Sequence, residues 1–197
     1  MNITNEKVTD YIVSFYQPWN DTMRKLREQS EADQIPLILK ETEMLFRTLL
    51  PLRPVHRVLE IGTAYGYSSI FFAHLLPESR ITTVELSDTN YQVAVDNIWE
   101  QGLTDRIQVI HGDGSVVLEE LIQDAGTGKE EPFDLIFIDA AKSHYMEFFE
   151  KAEKLCSKDA LIVCDNILMK AFLVDSSLDR KRRHRTSVKR MNEFLEY

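Results

Sequence analysis

The chain of 197 residues is 44% hydrophobic and 28% charged, so it can form a core and is not a disordered tail. Its formal net charge of −9 at pH 7 excludes a uniformly basic nucleic-acid-binding protein but leaves room for a local basic patch. No apolar stretch approaches the ~18 residues of a membrane span, and the N-terminus lacks a signal-peptide pattern, so we expect a soluble cytoplasmic protein that does not associate with membranes.

The first 50 residues predict three helices, which are separated by Pro18 and Pro36. The helical segments are 8–16, 21–33 and 37–50. Because 50 residues hold too little core to fold alone, we expect residues 1–50 to form a helical layer of a single domain that spans residues 1–197.

From residue 55 onward, short β-branched runs alternate with longer segments of helical periodicity. Strands are predicted at 57–61, 80–86, 106–112, 133–139 and 160–165, and helices at 66–76, 88–101, 114–125 and 143–156. Strands separated by helical connections indicate βαβ units. The sequence therefore predicts an α/β fold with a Rossmann-like, doubly wound parallel sheet. Residues 55–166 form the expected core, and residues 167–197 a lid and a basic helix.

Glycines and acidic side chains follow the predicted strands, where open parallel sheets bind their ligands. The first loop has the pattern Gly62-x-x-x-Gly66 and lacks the G-x-G-x-x-G spacing that accommodates a pyrophosphate. Glu60 would repel a phosphate and favours a cationic or zwitterionic ligand. Glu85, at the end of the second strand, can accept hydrogen bonds from both hydroxyls of a ribose. A ribose without phosphate and a positively charged amine together indicate S-adenosylmethionine.

Oxygen ligands follow the fourth and fifth predicted strands. Asp139, Asp165 and Asn166 supply hard donors without histidine or cysteine, a combination that suits Mg²⁺. The alternative is that the two aspartates cap the following helices. Lys142 lies three residues after Asp139, and a nearby divalent cation would favour its neutral amine, so it is a candidate general base.

Five segments together resemble the cation-dependent O-methyltransferases of the catechol and caffeoyl-CoA type. These segments are VLEIGTAYGYSS, TTVELS, IHGDG, FDLIFIDAAKSHY and LIVCDNIL. Within that family the sequence is most similar to the bacterial branch that methylates 5-hydroxyuridine at the tRNA wobble position, which shares the stretch from Ile35 to Leu45 and an arginine-rich run. The resemblance implies a final antiparallel pair of strands, for which the sequence up to Tyr197 offers no runs. We therefore expect a sheet without the last two strands. We also expect the protein to be a homodimer.

The resemblance also assigns roles to individual residues. Its implied cofactor site consists of Ile35 and Leu37 at the methionine part, Glu60, Gly62, Tyr67 and Ser68 around the amino-acid portion, Glu85 at the ribose, Asp113 near the adenine, and Asp139. Its implied Mg²⁺ ligands are Asp139, Asp165 and Asn166, and its implied base is Lys142.

Residues 180–190 carry seven Lys or Arg and no acid, although the protein is acidic overall. This basic run makes Arg182, Arg183 and Arg185 candidates for contacts with tRNA phosphates, and its alternative is a solvated charged helix. The leading hypothesis is a Mg²⁺-dependent O-methyltransferase that converts 5-hydroxyuridine in the tRNA anticodon to 5-methoxyuridine.

Three other functions compete with that hypothesis. The first keeps the chemistry but replaces the tRNA with a small catechol or a hydroxylated phenylpropanoid, which also offers two adjacent oxygens. The second is a non-catalytic RNA-binding protein, and the presence of Asp139, Lys142, Asp165 and Asn166 argues against it. The third is a nicotinamide oxidoreductase, which the missing glycine of the dinucleotide fingerprint disfavours.

Overall fold

The computed structural model of this chain describes residues 5–175 and 184–197. Its centre is a five-stranded sheet in the order β3-β2-β1-β4-β5, and every neighbouring pair is parallel. The strands are β1 (Arg57–Ile61), β2 (Arg80–Glu85), β3 (Ile107–His111), β4 (Phe133–Ile138) and β5 (Cys156–Cys164). The predicted Rossmann-like, doubly wound α/β fold is confirmed. The described ranges contain no sixth strand.

Helices cover the sheet, and the three predicted N-terminal helices are present. The helices are α1 (Glu6–Val13), α2 (Asp21–Ala32), α3 (Lys40–Leu49), α4 (Tyr67–Leu75), α5 (Asp88–Glu100), α6 (Gly114–Gly126), α7 (Tyr145–Glu153) and α8 (Arg185–Glu196). Side-chain caps fix several helix starts: Asn20, Ser87 and Asp113 accept hydrogen bonds from backbone N–H groups in the first turns of α2, α5 and α6. None of the helices in the described ranges is both long and apolar enough to span a membrane.

The predicted boundaries differ from the structure in several elements, and helix α1, for example, covers Glu6–Val13 instead of residues 8–16. Helix α3 begins at Lys40, three residues later than predicted, because residues 35–39 form an extended segment whose Ile38 carbonyl accepts a hydrogen bond from Arg27 instead of a helical N–H. A 3-10 turn, Lys142–His144, precedes α7. Strand β5 begins four residues early, at Cys156, and its register against β4 shifts between Phe133 and Leu135.

The two central strands, β1 and β4, are buried on both faces. Val58 of β1 belongs to the cluster that α2, α3 and α4 cover, whereas Leu59 and Ile61 belong to the cluster on the opposite face. The side chains of β4 alternate in the same way. Phe46, Phe72 and Phe137 join α3 and α4 to β4 through edge-to-face ring contacts. Because the neighbouring strands are parallel, the carboxyl ends of β1, β2, β4 and β5 lie at the same edge of the sheet.

Candidate active site

A cavity of about 980 Å³ opens at the carboxyl ends of the strands. Most of the residues that the sequence predicts for the cofactor, metal and base line it: Ile35, Leu37, Gly62, Tyr67, Ser68, Glu85, Asp113, Asp139, Lys142 and Asn166. Its volume lies at the upper end of the usual range for ligand pockets. The cavity can therefore hold a nucleoside-sized cofactor and part of a second molecule.

Glu85 is fixed at the cavity wall by backbone hydrogen bonds. Its Oε2 atom accepts a hydrogen bond from the Ala64 N–H at 2.8 Å, and its Oε1 atom accepts one from the Ser87 N–H at 2.8 Å. Each carboxylate oxygen can accept two hydrogen bonds, so both oxygens keep an acceptor site for a ligand. A fixed carboxylate with a free acceptor site on each oxygen suits a pair of ribose hydroxyls.

Gly62 forms the closest contact between the loops that follow β1 and β4. It has a φ of +103°, and a Cβ atom placed on it would lie 2.2 Å from the Asp139 carbonyl oxygen. The Asp139 N–H donates to the Ile61 carbonyl at 3.0 Å and holds the two loops together. Glycine is therefore required both by the backbone conformation and by the space.

The structure corrects the expected contact between Glu60 and the cofactor. Glu60 is fully buried and does not line the cavity; its carboxylate accepts hydrogen bonds from Ser68, Ser69 and Thr83, the last at 2.6 Å. Burial raises the pKa of Glu60 to about 7, although the three hydroxyl donors favour the carboxylate. Glu60 therefore joins β1, β2 and the start of α4 beneath the cavity wall.

Tyr67 lines the cavity, but its hydroxyl belongs to a buried network behind the wall. This hydroxyl donates to Glu43 Oε2 at 2.8 Å and lies 3.2 Å from Arg27 Nε and 3.1 Å from the Tyr16 hydroxyl. Glu43 is fully buried and also pairs with Arg27 at 3.0 Å and Arg47 at 2.6 Å. Burial raises the pKa of Tyr67, which keeps the phenol neutral. The network joins α2, α3 and α4.

Sequence reasoning missed this network, although a signal for it exists. The buried face of α2 consists of Met23, Leu26, Arg27 and Ser30, which follow the spacing of an apolar stripe. A charged residue in such a stripe needs a buried partner, and Glu43 is that partner.

Asp139, Asp165 and Asn166 come together at the ends of β4 and β5. Asp165 Oδ1 accepts a hydrogen bond from the Asn166 N–H at 2.8 Å, whereas Asp165 Oδ2 is buried and has no hydrogen-bond partner among the described residues. Burial, and then the Asp139 carboxylate, raise the pKa of Asp165. Neither aspartate caps a described helix: the residue before the 3-10 turn is Ala141, and Asp165 instead binds the next N–H.

This donor set fits a hard divalent cation. An unpartnered carboxylate oxygen beside a second carboxylate is stabilised by a cation, and Asn166 adds a neutral oxygen. No three His, Cys, Asp or Glu side chains cluster as a metal site in the described ranges, so the candidate set depends on this asparagine. Asp113, in contrast, does cap a helix: it accepts a hydrogen bond from the Ser115 N–H at 2.8 Å while it lines the cavity.

Lys142 lies at the start of the 3-10 turn and lines the same cavity as the metal candidates Asp139 and Asn166. Its Nζ atom donates to Asp139 Oδ1 at 2.8 Å and also donates to the Tyr145 hydroxyl. Its side chain is 20% exposed, so the amine is accessible from the cavity. Lys142 can therefore reach a ligand while Asp139 holds it.

The other end of the cavity is aromatic and adjoins the basic run. Phe172 and His184 stack with ring centroids 5.0 Å apart, and both line the cavity. Arg185, the next residue, is exposed at the start of α8. Arg182 and Arg183, the other predicted phosphate contacts, lie outside the described residues.

Comparisons with known proteins show to which proteins the chain is similar. A sequence model described as O-methyltransferase matches residues 14–197. A catechol O-methyltransferase from Niastella koreensis is 39% identical over 121 residues, which are 61% of this chain and 53% of that protein, so the match spans about half of its length.

Two solved structures resemble the whole chain. The structure of a putative caffeoyl-CoA O-methyltransferase from Staphylococcus aureus has a TM-score of 0.86 and 30% identity, and the match covers 97% of this chain and 88% of that one. The structure of an O-methyltransferase from Bacillus cereus in complex with SAH has a TM-score of 0.78 and 29% identity, with coverage of 96% and 84%.

Proposed function

This chain belongs to the O-methyltransferase family, and on that premise we propose that it transfers the methyl group of S-adenosylmethionine to a hydroxyl oxygen. The observation that carries the proposal is that one cavity contains both Glu85 with the Gly62 loop and Lys142 with Asp139. In the reaction, an acceptor O–H bond and the S–CH₃ bond break, an O–CH₃ bond forms, and S-adenosylhomocysteine and a proton are released.

The residues around Glu85 would bind the cofactor. The Glu85 carboxylate would accept hydrogen bonds from the ribose hydroxyls, and Ile35 and Leu37 would contact the methionine part. The related Bacillus cereus structure is a complex with SAH, which supports this assignment. A cofactor held against a fixed acceptor contributes proximity and orientation to catalysis.

The residues around Asp165 would hold Mg²⁺, with Asp139 and Asn166 as the other protein ligands. A bound divalent cation would supply Lewis-acid chemistry that favours the ionised form of the acceptor hydroxyl. Lys142 Nζ would take up the proton of that hydroxyl, because this amine lies at the cavity wall next to the ligand set.

The role of the metal can be separated from cofactor binding. We expect Asp165→Ala to abolish Mg²⁺-dependent turnover while calorimetry shows nearly unchanged affinity for S-adenosylmethionine, because Asp165 follows β5, which β4 and β1 separate from Glu85 at the end of β2. Loss of cofactor affinity together with activity would contradict the separation into two ligand sets.

For the acceptor, we propose 5-hydroxyuridine at the wobble position of tRNA. The support is the position of His184, which lines the aromatic end of the cavity and directly precedes Arg185. A pyrimidine that stacks on these aromatic side chains would thus lie next to the basic run, which would contact the flanking phosphates.

A small catechol or a hydroxylated phenylpropanoid is the second candidate acceptor. The observation in its favour is the similarity to a catechol O-methyltransferase, and the stacked Phe172 and His184 suit any planar ring. This candidate does not need the positive charges of residues 180–190.

Labelled S-adenosylmethionine tests both acceptors in one assay. Bulk tRNA from a strain that lacks 5-methoxyuridine, or catechol, is incubated with the protein with and without Mg²⁺. We expect label in tRNA only with Mg²⁺. Label in catechol alone would favour the second acceptor, and no transfer to either would contradict the proposed function.

The basic run is tested by salt titration of tRNA binding. Replacing Arg182, Arg183 and Arg185 together by alanine should lower the slope of log affinity against log salt by about 2–3, since each lost phosphate contact removes roughly 0.7–0.9. A flat salt response of the unmodified protein would refute the tRNA proposal.

A further inference from the structure

The Tyr145 hydroxyl is a buried polar group at the centre of the site to which the sequence assigns no role. Tyr145 is 1% exposed, does not line the cavity, and lies at the first position of α7. Its hydroxyl lies 3.0 Å from the Ile138 carbonyl oxygen and 2.9 Å from the Asp165 carbonyl oxygen, and it accepts a hydrogen bond from Lys142 Nζ. It thus joins the ends of β4 and β5 to the lysine.

The number of protons and lone pairs on these groups fixes which group donates and which accepts each hydrogen bond. A phenol has one proton, and here that proton is directed at the two carbonyl oxygens, so an oxygen lone pair is left for Lys142. A phenol has an ordinary pKa of about 10, so the proton stays on the oxygen at neutral pH. The hydroxyl is therefore a fixed acceptor for Lys142.

Two contacts then determine where the lysine nitrogen lies. Nζ donates to Asp139 Oδ1 and to the Tyr145 hydroxyl, and it lies 4.6 Å from the centroid of the Tyr145 ring. A tetrahedral nitrogen has three positions besides its bond to carbon. Asp139 and the Tyr145 hydroxyl take two of these positions through hydrogen bonds, and one position on Nζ remains. Lys142 lines the cavity, so this position is available to a ligand there.

On the basis of the proposed function, we infer that Tyr145 is a positioning residue, which holds Lys142 Nζ so that its remaining position points to the acceptor hydroxyl. Phe194 of α8 packs edge-on against the Tyr145 ring, with centroids 6.1 Å apart, and thereby limits movement of the ring. Tyr145 does not touch the cofactor or the acceptor in this arrangement. Its proposed effect on the reaction is through Lys142.

Tyr145→Phe removes the hydroxyl and keeps the ring, so it tests this inference. With Mg²⁺ and labelled S-adenosylmethionine, tRNA and catechol are offered separately, and kcat and KM are measured on the acceptor that the wild type methylates. We expect kcat to fall by about ten- to a hundredfold, the effect of losing one hydrogen bond from an amine that becomes charged as it takes up the proton, while KM changes by less than about threefold. Calorimetric affinity for S-adenosylmethionine should be unchanged.

Tyr197→Phe is the matched control, because Tyr197 also packs on α7, against Phe149, and its hydroxyl lies 3.5 Å from Glu153, remote from Lys142. We expect wild-type kcat in this control. An unchanged kcat in Tyr145→Phe, or a parallel loss of cofactor affinity and thermal stability, would overturn the positioning role. A wild type that methylates neither acceptor would instead overturn the proposed function, and this inference with it.

Discussion

Replacing Gly62 with alanine should disrupt the contact between the loops after β1 and β4. The new Cβ would lie 2.2 Å from the Asp139 carbonyl oxygen and 2.9 Å from its carbonyl carbon, so the two backbones must separate. The positive φ costs an L-residue about 1–2 kcal/mol, and overpacking in a rigid site costs about 1–3 kcal/mol more. We therefore expect the free energy of unfolding to fall by about 2–5 kcal/mol.

Gly102→Ala separates these two contributions, because Gly102 has a φ of +66° and no atom within 4 Å of the position of a Cβ. It should lose only about 1–2 kcal/mol in guanidinium unfolding. Cofactor affinity measured by calorimetry should fall at least about tenfold in Gly62→Ala, because Asp139 moves with the loop, and stay at the wild-type value in Gly102→Ala. Equal unfolding free energies and equal affinities in the two variants would refute the reasoning.

Three further substitutions test other parts of the site. Glu85→Ala should weaken binding of S-adenosylmethionine by about ten- to a hundredfold in calorimetry, because a charged acceptor is lost; unchanged affinity would place the ribose elsewhere. Because burial raises the pKa of Glu60 to about 7, the folded state binds the proton more tightly than the unfolded state, and stability should fall as the pH rises from about 4.5 to 7. In urea titrations at several pH values, Glu60→Gln should show a smaller loss of unfolding free energy over this pH range than the wild type. The same pH profile in both proteins would contradict the raised pKa of Glu60. Arg27→Met should cost about 1–3 kcal/mol in the free energy of unfolding, since Glu43 stays buried with Arg47 as its remaining cationic partner. The control Arg24→Met, on the exposed face of α2, should cost about 1 kcal/mol or less; equal losses in the two variants would contradict a stabilising role of the buried network.

The sheet could be predicted because its signals are local. The apolar runs of β4 and β5 and the helical spacing between them are properties of neighbouring residues, and the right-handed crossover limits the topology to an open, doubly wound sheet. The start of α3 could not be predicted in this way, since Arg27, distant in sequence, holds the Ile38 carbonyl outside the helix. Boundaries therefore depend on tertiary contacts that periodicity does not contain.

The location of the site was predictable for the same topological reason, but the direction of each side chain was not. Glu60 is the penultimate residue of β1 and Glu85 is the last residue of β2, yet Glu85 lines the cavity and Glu60 is buried below it. The difference arises because Ser68, Ser69 and Thr83 surround Glu60, and their arrangement depends on how α4 packs on the sheet. The cofactor, metal and base roles of the cavity residues remain predictions.

The strand order also explains why donor and acceptor would meet at one point. Strand β1 lies between β2 and β4, so the Gly62 loop has Glu85 on one side and Asp139 on the other. The residues proposed to bind the cofactor are concentrated towards β2, whereas Asp165, Asn166 and Lys142 follow β4 and β5. From β1, the strands β2 and β3 extend the sheet in one direction, and β4 and β5 extend it in the other, so the topology switches between β1 and β4. At this switch point the Gly62 backbone lies against the Asp139 backbone. In the proposed reaction the methyl group would cross that boundary, and any side chain at position 62 would separate the two halves that must react.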